Sequence, residues 1–173
     1  MKHIYQSIEG WFSFPNHYAN AIKRLPSGSR LVEIGTYKGA SLSCLVVEAI
    51  NSGKTFDIVG IDACPEGWGV KEGFDKNMKP LEGNFRTMFG GDSFDRAKEF
   101  EDESLDFLFI DANHTYEFVK KDIASFLPKM KKGSIISGHD YNECHLGVLQ
   151  AVDEAFGDRV MYDKTEDVWS VQL

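Results

Sequence analysis

A doubly wound α/β fold is what this sequence predicts, on three observations. Seven short runs rich in β-branched and aromatic residues recur along 173 residues; amphipathic helical stripes lie between several of them; and the last two runs are separated by three residues only. Strand and helix in alternation mean a mostly parallel sheet with helices on both faces, and a three-residue gap leaves room for nothing but an antiparallel hairpin.

The first element is an N-terminal segment, residues 1–28, whose aromatics "GWFSFPNHY" (10–18) read better as core packing than as a substrate box. Next comes "RLVEIG" (30–35), apolar on both faces, as strands covered from two sides are. Leu42, Leu45, Val46, Ala49 and Ile50 then form one helical stripe. The runs "FDIVGID" (56–62) and "FRTMFGG" (85–91) follow, joined by "CPEGWGVKEGFDKNMKPLEGN" (64–84), which reads as a lid hinged at Gly67, Gly69 and Gly73 or as a long connection. After the fourth run, "LDFLFID" (105–111), Tyr116, Val119, Ile123, Phe126 and Leu127 make a second stripe that Pro128 stops. The basic "KMKKG" (129–133) reads as a solvated helix end favoured by the dipole. The fifth run is "SIISGHD" (134–140), and a third stripe of Val148, Leu149, Val152, Ala155 and Phe156 ends near Gly157. "RVMYD" (159–163) and "DVWSVQL" (167–173) form the closing hairpin around residues 164–166. The expectation is a single domain over 1–173, with 1–28 packed on its core.

Composition narrows the class. A net charge of −8, from 19 basic against 27 acidic residues, with no basic stripe, argues against nucleic acid as a partner. Three cysteines without a CxxC pair fit neither a disulfide framework nor a zinc knuckle, and suit a reducing, cytoplasmic compartment. No apolar run reaches the ~18 residues of a membrane helix, and Glu9 interrupts what would be a signal-peptide core.

In open α/β sheets, ligands bind beyond the carboxyl ends of the strands, where strand order reverses. Those ends carry Glu33, Gly35 and Gly39; Asp62; Asp92 and Ser93; Asp111, Asn113 and His114; and His139, Asp140 and Tyr141. Taken singly, most have plainer readings. Asp62, somewhat farther past Gly35 than the ~20 residues expected of a ribose-binding acid, also suits a turn or cap. Ser41, Asp92 and Ser93 suit helix caps, and His114 a turn residue before a Thr115 cap. Their joint position on one rim favours function.

The ordered set "EIGTYKGAS", "GDS" (91–93), "FIDANHTYEFVKKD" (109–122) and "LPKMKKGSIISGHDY" (127–141) resembles the class I S-adenosylmethionine-dependent methyltransferases, Rossmann-like proteins, and in particular their small stand-alone group with a FIDxxHxYExVxxD motif. The resemblance runs over nearly the whole chain. It implies that Glu33, Gly35 and Gly39 shape the loop under the methionine part of S-adenosylmethionine, with the Glu33 acid orienting its amino group and Ser41 near its carboxylate. It further implies that Asp62 holds the ribose hydroxyls, that Asp92 and Ser93 flank the adenine, and that Asp111 lies below the sulfonium, where a small-molecule methyl acceptor would meet it. His114, His139 and Asp140 are then the candidate bases for a hydroxyl or, less favoured, an amine acceptor. A cationic sulfonium suits this acidic rim.

Some relatives are metal-dependent, with an acid after the fourth strand and paired acids after the fifth. Here the pair is His139–Asp140, which disfavours Mg²⁺ and leaves a softer divalent ion on Asp111, His139 and Asp140 as the minor alternative. Two rival readings remain: a cofactor-binding regulatory protein without chemistry, and a nicotinamide-dependent oxidoreductase, since Tyr116 and Lys120 fit a Tyr-x-x-x-Lys pair. The glycine turn lacks G-x-G-x-x-G, and Tyr116 opens a buried stripe, so that pair reads as core. The N-terminal aromatics are also a reason to expect a homodimer.

Overall fold

The computed structural model describes residues 1–173. One sheet of seven strands organises them: β1 Arg30–Ile34, β2 Asp57–Asp62, β3 Arg86–Phe89, β4 Leu105–Ile110, β5 Met130–His139, β6 Met161–Asp163 and β7 Val168–Gln172. Their spatial order is β3-β2-β1-β4-β5-β7-β6, with β7 antiparallel to both β5 and β6 and every other pairing parallel. The fold is therefore the expected one, hairpin included.

Six α-helices complete it: α1 Pro15–Arg24, α2 Ala40–Ser52, α3 Val70–Met78, α4 Ser93–Arg96, α5 Tyr116–Phe126 and α6 Leu146–Phe156. Each face of the sheet has its own core. Val32, Ile34, Leu108, Ile110, Val119, Ile123 and Val152 belong to one, beneath α5 and α6. Leu31, Phe107, Phe109, Leu42, Leu45, Val46, Phe74 and Tyr18 belong to the other, beneath α1, α2 and α3. Alternate residues of β1 and β4 thus serve opposite cores, which is why those strands read apolar throughout.

Three local expectations change. Residues 64–84 are not a bare connection: Val70, Phe74 and Met78, spaced by four, bury one face of α3 against the second core, and Pro65 and Trp68 before it line the cavity described below. Of the basic cluster only Lys129 lies on a helix end, the 3-10 turn Leu127–Lys129 that follows α5; the rest starts β5, where Met130 pairs with Leu105 and Lys131 reaches both carboxylate oxygens of Asp106 at 2.9 and 2.8 Å. The register then shifts before Phe107 pairs with Ile135, which is why the alternation that marks a strand begins only near residue 134.

The N-terminal segment lies against the sheet. Phe14, Tyr18, Ala21 and Ile22 enter the second core, and the Phe14 ring lies 4.6 Å from that of Phe109. No helix is long and apolar enough to cross a membrane.

Candidate functional site

The strand order reverses between β1 and β4. The chain leaves β1 for α2 on one face and leaves β4 for α5 on the other, so their carboxyl ends diverge and open a crevice. A cavity of about 970 Å³ occupies it. Gly35, Ser41, Asp62, Asp92, Ser93, Asp111, His114, His139 and Asp140, all named from sequence, line its wall.

Glu33 and Gly39 do not. Glu33 is wholly buried behind the wall, where its carboxyl receives hydrogen bonds from Tyr18 Oη at 2.9 Å and Ser41 Oγ at 2.5 Å. Burial pushes its pKa up to about 8, against the lowering effect of those two hydroxyls. Its reach to the cavity runs through Ser41, so direct contact with an amino group is not available to it. Gly39 starts α2 with φ +92°, and a Cβ there would lie 2.7 Å from Met78 Cγ. Its smallness admits α3, not a ligand. Gly35 answers differently: it lines the cavity at φ +92°, and a Cβ would lie 1.9 Å from the Asp111 carbonyl oxygen. The glycine allows the ends of β1 and β4 to touch.

Asp62 shapes the neighbouring turn, accepting hydrogen bonds from the amides of Tyr37 and Cys64, both at 2.7 Å. Its turn-forming role is therefore real, while its side still faces the cavity. Asp92 precedes α4 without capping it through its side chain. Ser93 donates to Asp122 Oδ1 at 2.5 Å instead. Asp122 lies on the buried face of α5, its pKa raised by burial to about 6, and its Oδ2 has no partner.

At the β4 and β5 ends, histidines and carboxylates converge. His114 Nε2 lies 3.1 Å from Asp140 Oδ2 and 3.4 Å from Asp111 Oδ1. His139 Nδ1 lies 3.3 Å from Asp140 Oδ2 and 3.9 Å from Asp111 Oδ1, while its Nε2 is 3.0 Å from Ser13 Oγ. The Asp111 hydrogen bond holds the His114 pKa above its ordinary value against burial. Burial lowers that of His139, but the Asp140 hydrogen bond and the Asp111 charge outweigh it and the net shift is upward. Asp140 moves the other way: burial opposes ionisation, yet the three neighbouring histidines keep its pKa low. Asp140 adopts φ +60°, a left-handed conformation that aspartate tolerates better than most residues.

Sequence reasoning missed His145, whose Nδ1 lies 3.4 Å from Asp140 Oδ1. The β5–α6 loop carries it back over the strand end, and the strand-end survey stopped at Tyr141. Trp11, Ser13, Tyr37, Trp68 and Phe118 also line the cavity unannounced. The N-terminal aromatics thus divide: Phe14 and Tyr18 are core, whereas Trp11 is 83% exposed at the mouth. Tyr116 and Lys120 meet at 2.8 Å, but they face Glu154 of α6, outside the cavity. Tyr116 packs at the edge of the core, only half-buried.

A family model described as a methyltransferase domain matches residues 32–141. No curated protein sequence matches significantly. Among solved structures, a Staphylococcus aureus protein provisionally described as a caffeoyl-CoA O-methyltransferase superposes with a TM-score of 0.71 at 14% identity, over 97% of this chain and 87% of that one. A Bacillus cereus O-methyltransferase in complex with SAH gives 0.66 at 18% identity, over 97% and 86%. The SAH-bound Podospora anserina methyltransferase PaMTH1 gives 0.66 at 16%, over 96% and 90%. At such identities the likeness is one of fold.

Proposed function

The chain belongs to the methyltransferase-domain family, and we propose that it transfers the methyl group of S-adenosylmethionine to a hydroxyl oxygen of a small-molecule acceptor. The observation that carries this is the adjacency, in one crevice, of an acidic nucleoside-sized wall and a histidine–carboxylate cluster. Two of the fold neighbours described above hold SAH, the product of such a transfer, which supports the same cofactor here.

In this reading the methionine part lies along Gly35–Tyr37, with Ser41 at its end and Glu33 fixing the Ser41 hydroxyl from behind. Asp62 takes the ribose: each of its oxygens accepts one amide and keeps a lone pair for a hydroxyl. Asp92, Ser93 and Phe118 surround the adenine, and Asp111 faces the sulfonium. S-adenosylmethionine, when bound, would supply a methyl group on a cationic sulfur, which an acceptor oxygen would take in line with a neutral thioether as leaving group. The hydroxyl proton passes into the cluster, with His139 the receiving imidazole, oriented between Ser13 and Asp140. A carbon or thiol acceptor would not need such a set. The whole of 1–173 acts as one domain, the N-terminal segment closing the acceptor side through Trp11 and Ser13.

Calorimetry and turnover test this together. S-adenosylmethionine and SAH should bind and NAD should not; NAD binding alone would return the assignment to the oxidoreductase reading. Against a panel of hydroxyl acceptors, His139→Ala should bind cofactor normally and lose turnover ~10²–10⁴-fold. Normal turnover in His114→Ala, His139→Ala and Asp140→Asn alike would move the base elsewhere.

A further inference from the structure

The oxygen-only Mg²⁺ set of metal-dependent relatives does not fit this chain, because His139 stands where the first paired acid would be. A different set does. Two side chains from one loop and one from another converge beside the cavity: Asp140 and His145 after β5, and His114 after β4. Their ligand atoms all lie within 4.8 Å of one another. Ligands ~2.1 Å from a tetrahedral ion stand ~3.4 Å apart. The separations are 3.1 Å from His114 Nε2 to Asp140 Oδ2 and 3.4 Å from His145 Nδ1 to Asp140 Oδ1.

His145 is the informative member. Its Nδ1 is shielded from solvent and, despite lying beside Asp140, makes no hydrogen bond. A buried ring nitrogen without a partner is costly unless a proton donor or an ion meets it. The two imidazoles stand edge to face with ring centroids 4.8 Å apart, and each has a nitrogen within 3.4 Å of the Asp140 carboxylate. The scaffold holds this arrangement tightly. A Cβ at Gly147, in the first turn of α6, would lie 2.4 Å from the His114 carbonyl oxygen, so the two loops are pressed together. Side-chain exposures of 36% for His114 and 34% for His145 leave access from solvent.

We propose that His114, Asp140 and His145 form a binding site for one divalent transition-metal ion, with Zn²⁺ as the representative species. Two imidazoles and one carboxylate are a donor set for zinc or ferrous iron rather than magnesium. The site leaves Asp111 and His139 free for the acceptor, and it stands whether or not the acceptor is a hydroxyl. Bound there, such an ion would lower the pKa of an oxygen ligand brought next to it.

Chelator-treated full-length protein is titrated with Zn²⁺ and Mg²⁺ by calorimetry, and with Co²⁺ by visible absorption. One Zn²⁺ per chain should bind at least ~100-fold more tightly than Mg²⁺. His145→Ala should weaken Zn²⁺ by ~10-fold or more while leaving S-adenosylmethionine affinity unchanged. His139→Ala, outside the set, should hold Zn²⁺ within about threefold, a change too small for the loss of a ligand. Absence of stoichiometric binding, equal affinity for Mg²⁺, or an unaffected His145→Ala would overturn the proposal. So would a loss confined to His139→Ala, which would mean the Asp111–His139–Asp140 set. None of these outcomes touches cofactor binding by the stripped protein, so the methyl-transfer reading is judged separately.

Discussion

Glu33 shows how a residue can be legible in kind and misread in place. An acid at the end of a strand, two residues before a glycine, suggests contact with a ligand. What the alternation along β1 also says is that position 33 points into the second core, where Tyr18 and Ser41 surround it. With a pKa raised from an ordinary 4.5 to about 8, folded Glu33 keeps its proton where the unfolded chain has lost it. Its contribution to stability is therefore fully present below about pH 4.5 and is lost as pH rises to about 8, by a few kcal/mol. Glu33→Gln should remove that slope: denaturant midpoints of variant and parent should agree near pH 4.5, and the variant should be the more stable at pH 8.5. Parallel curves would mean that Glu33 ionises freely in the folded protein. His145 is the opposite case. No motif contains it, and only the return of the β5–α6 loop brings it to Asp140, so nothing local in the sequence could have announced it.

Among the elements, α1 owes its position to charges supplied from far along the chain. Glu166, in the closing hairpin, accepts from the Asn16 and His17 amides at 2.9 and 2.7 Å, covering donors at the helix N-terminus. Lys54 Nζ donates to the carbonyls of Ile22, Lys23 and Leu25 at 2.8, 2.9 and 2.8 Å, covering acceptors at the other end. Both charges complement the helix dipole, and both satisfy groups that no residue of α1 caps. Lys54→Met and Glu166→Gln should each cost about 1–2 kcal/mol in urea denaturation, the scale of a lost cap. Losses below a few tenths would make these contacts incidental. Strands and the long helices were readable because burial on one or two faces imposes a period. The helix α3 was also written in Val70, Phe74 and Met78, but Gly67, Gly69, Gly73 and Pro80 around it masked the stripe. The capping of α1 was not readable, since it joins residues about 150 and 30 positions apart.

For the molecule as a whole, cofactor and fold should be coupled. The crevice draws its walls from β1, β2 and β4 and from the N-terminal segment, which belong to both cores. A ligand bound there stabilises only the folded chain, so SAH at about 100 times its Kd should add ~2.7 kcal/mol and raise Tm by roughly 5–10 °C. An NAD control should leave Tm unmoved, and a null result with SAH would contradict occupancy of this crevice. In the aromatic N-terminus, Phe12, Phe14 and Tyr18 find cover within the chain, while Trp11 stays 83% exposed.

That same stretch has a consequence for how such a protein can change over generations. From Trp11 to Phe14 the burial changes residue by residue: Trp11, Phe12 and Ser13 all line the cavity, with Trp11 and Ser13 exposed and Phe12 half-buried, while Phe14 is fully in the core. Substitutions at 11 can therefore alter what the mouth admits without disturbing the packing that anchors the segment, whereas a change at 13 would also remove the Ser13 contact to His139 at 3.0 Å. Deleting or inserting one residue would shift Phe14 out of the place it fills in the core. Point variation at Trp11 is cheap and length variation is not, so what the mouth admits has an open route to change at one exposed position and a closed one through the spacing that seats Phe14.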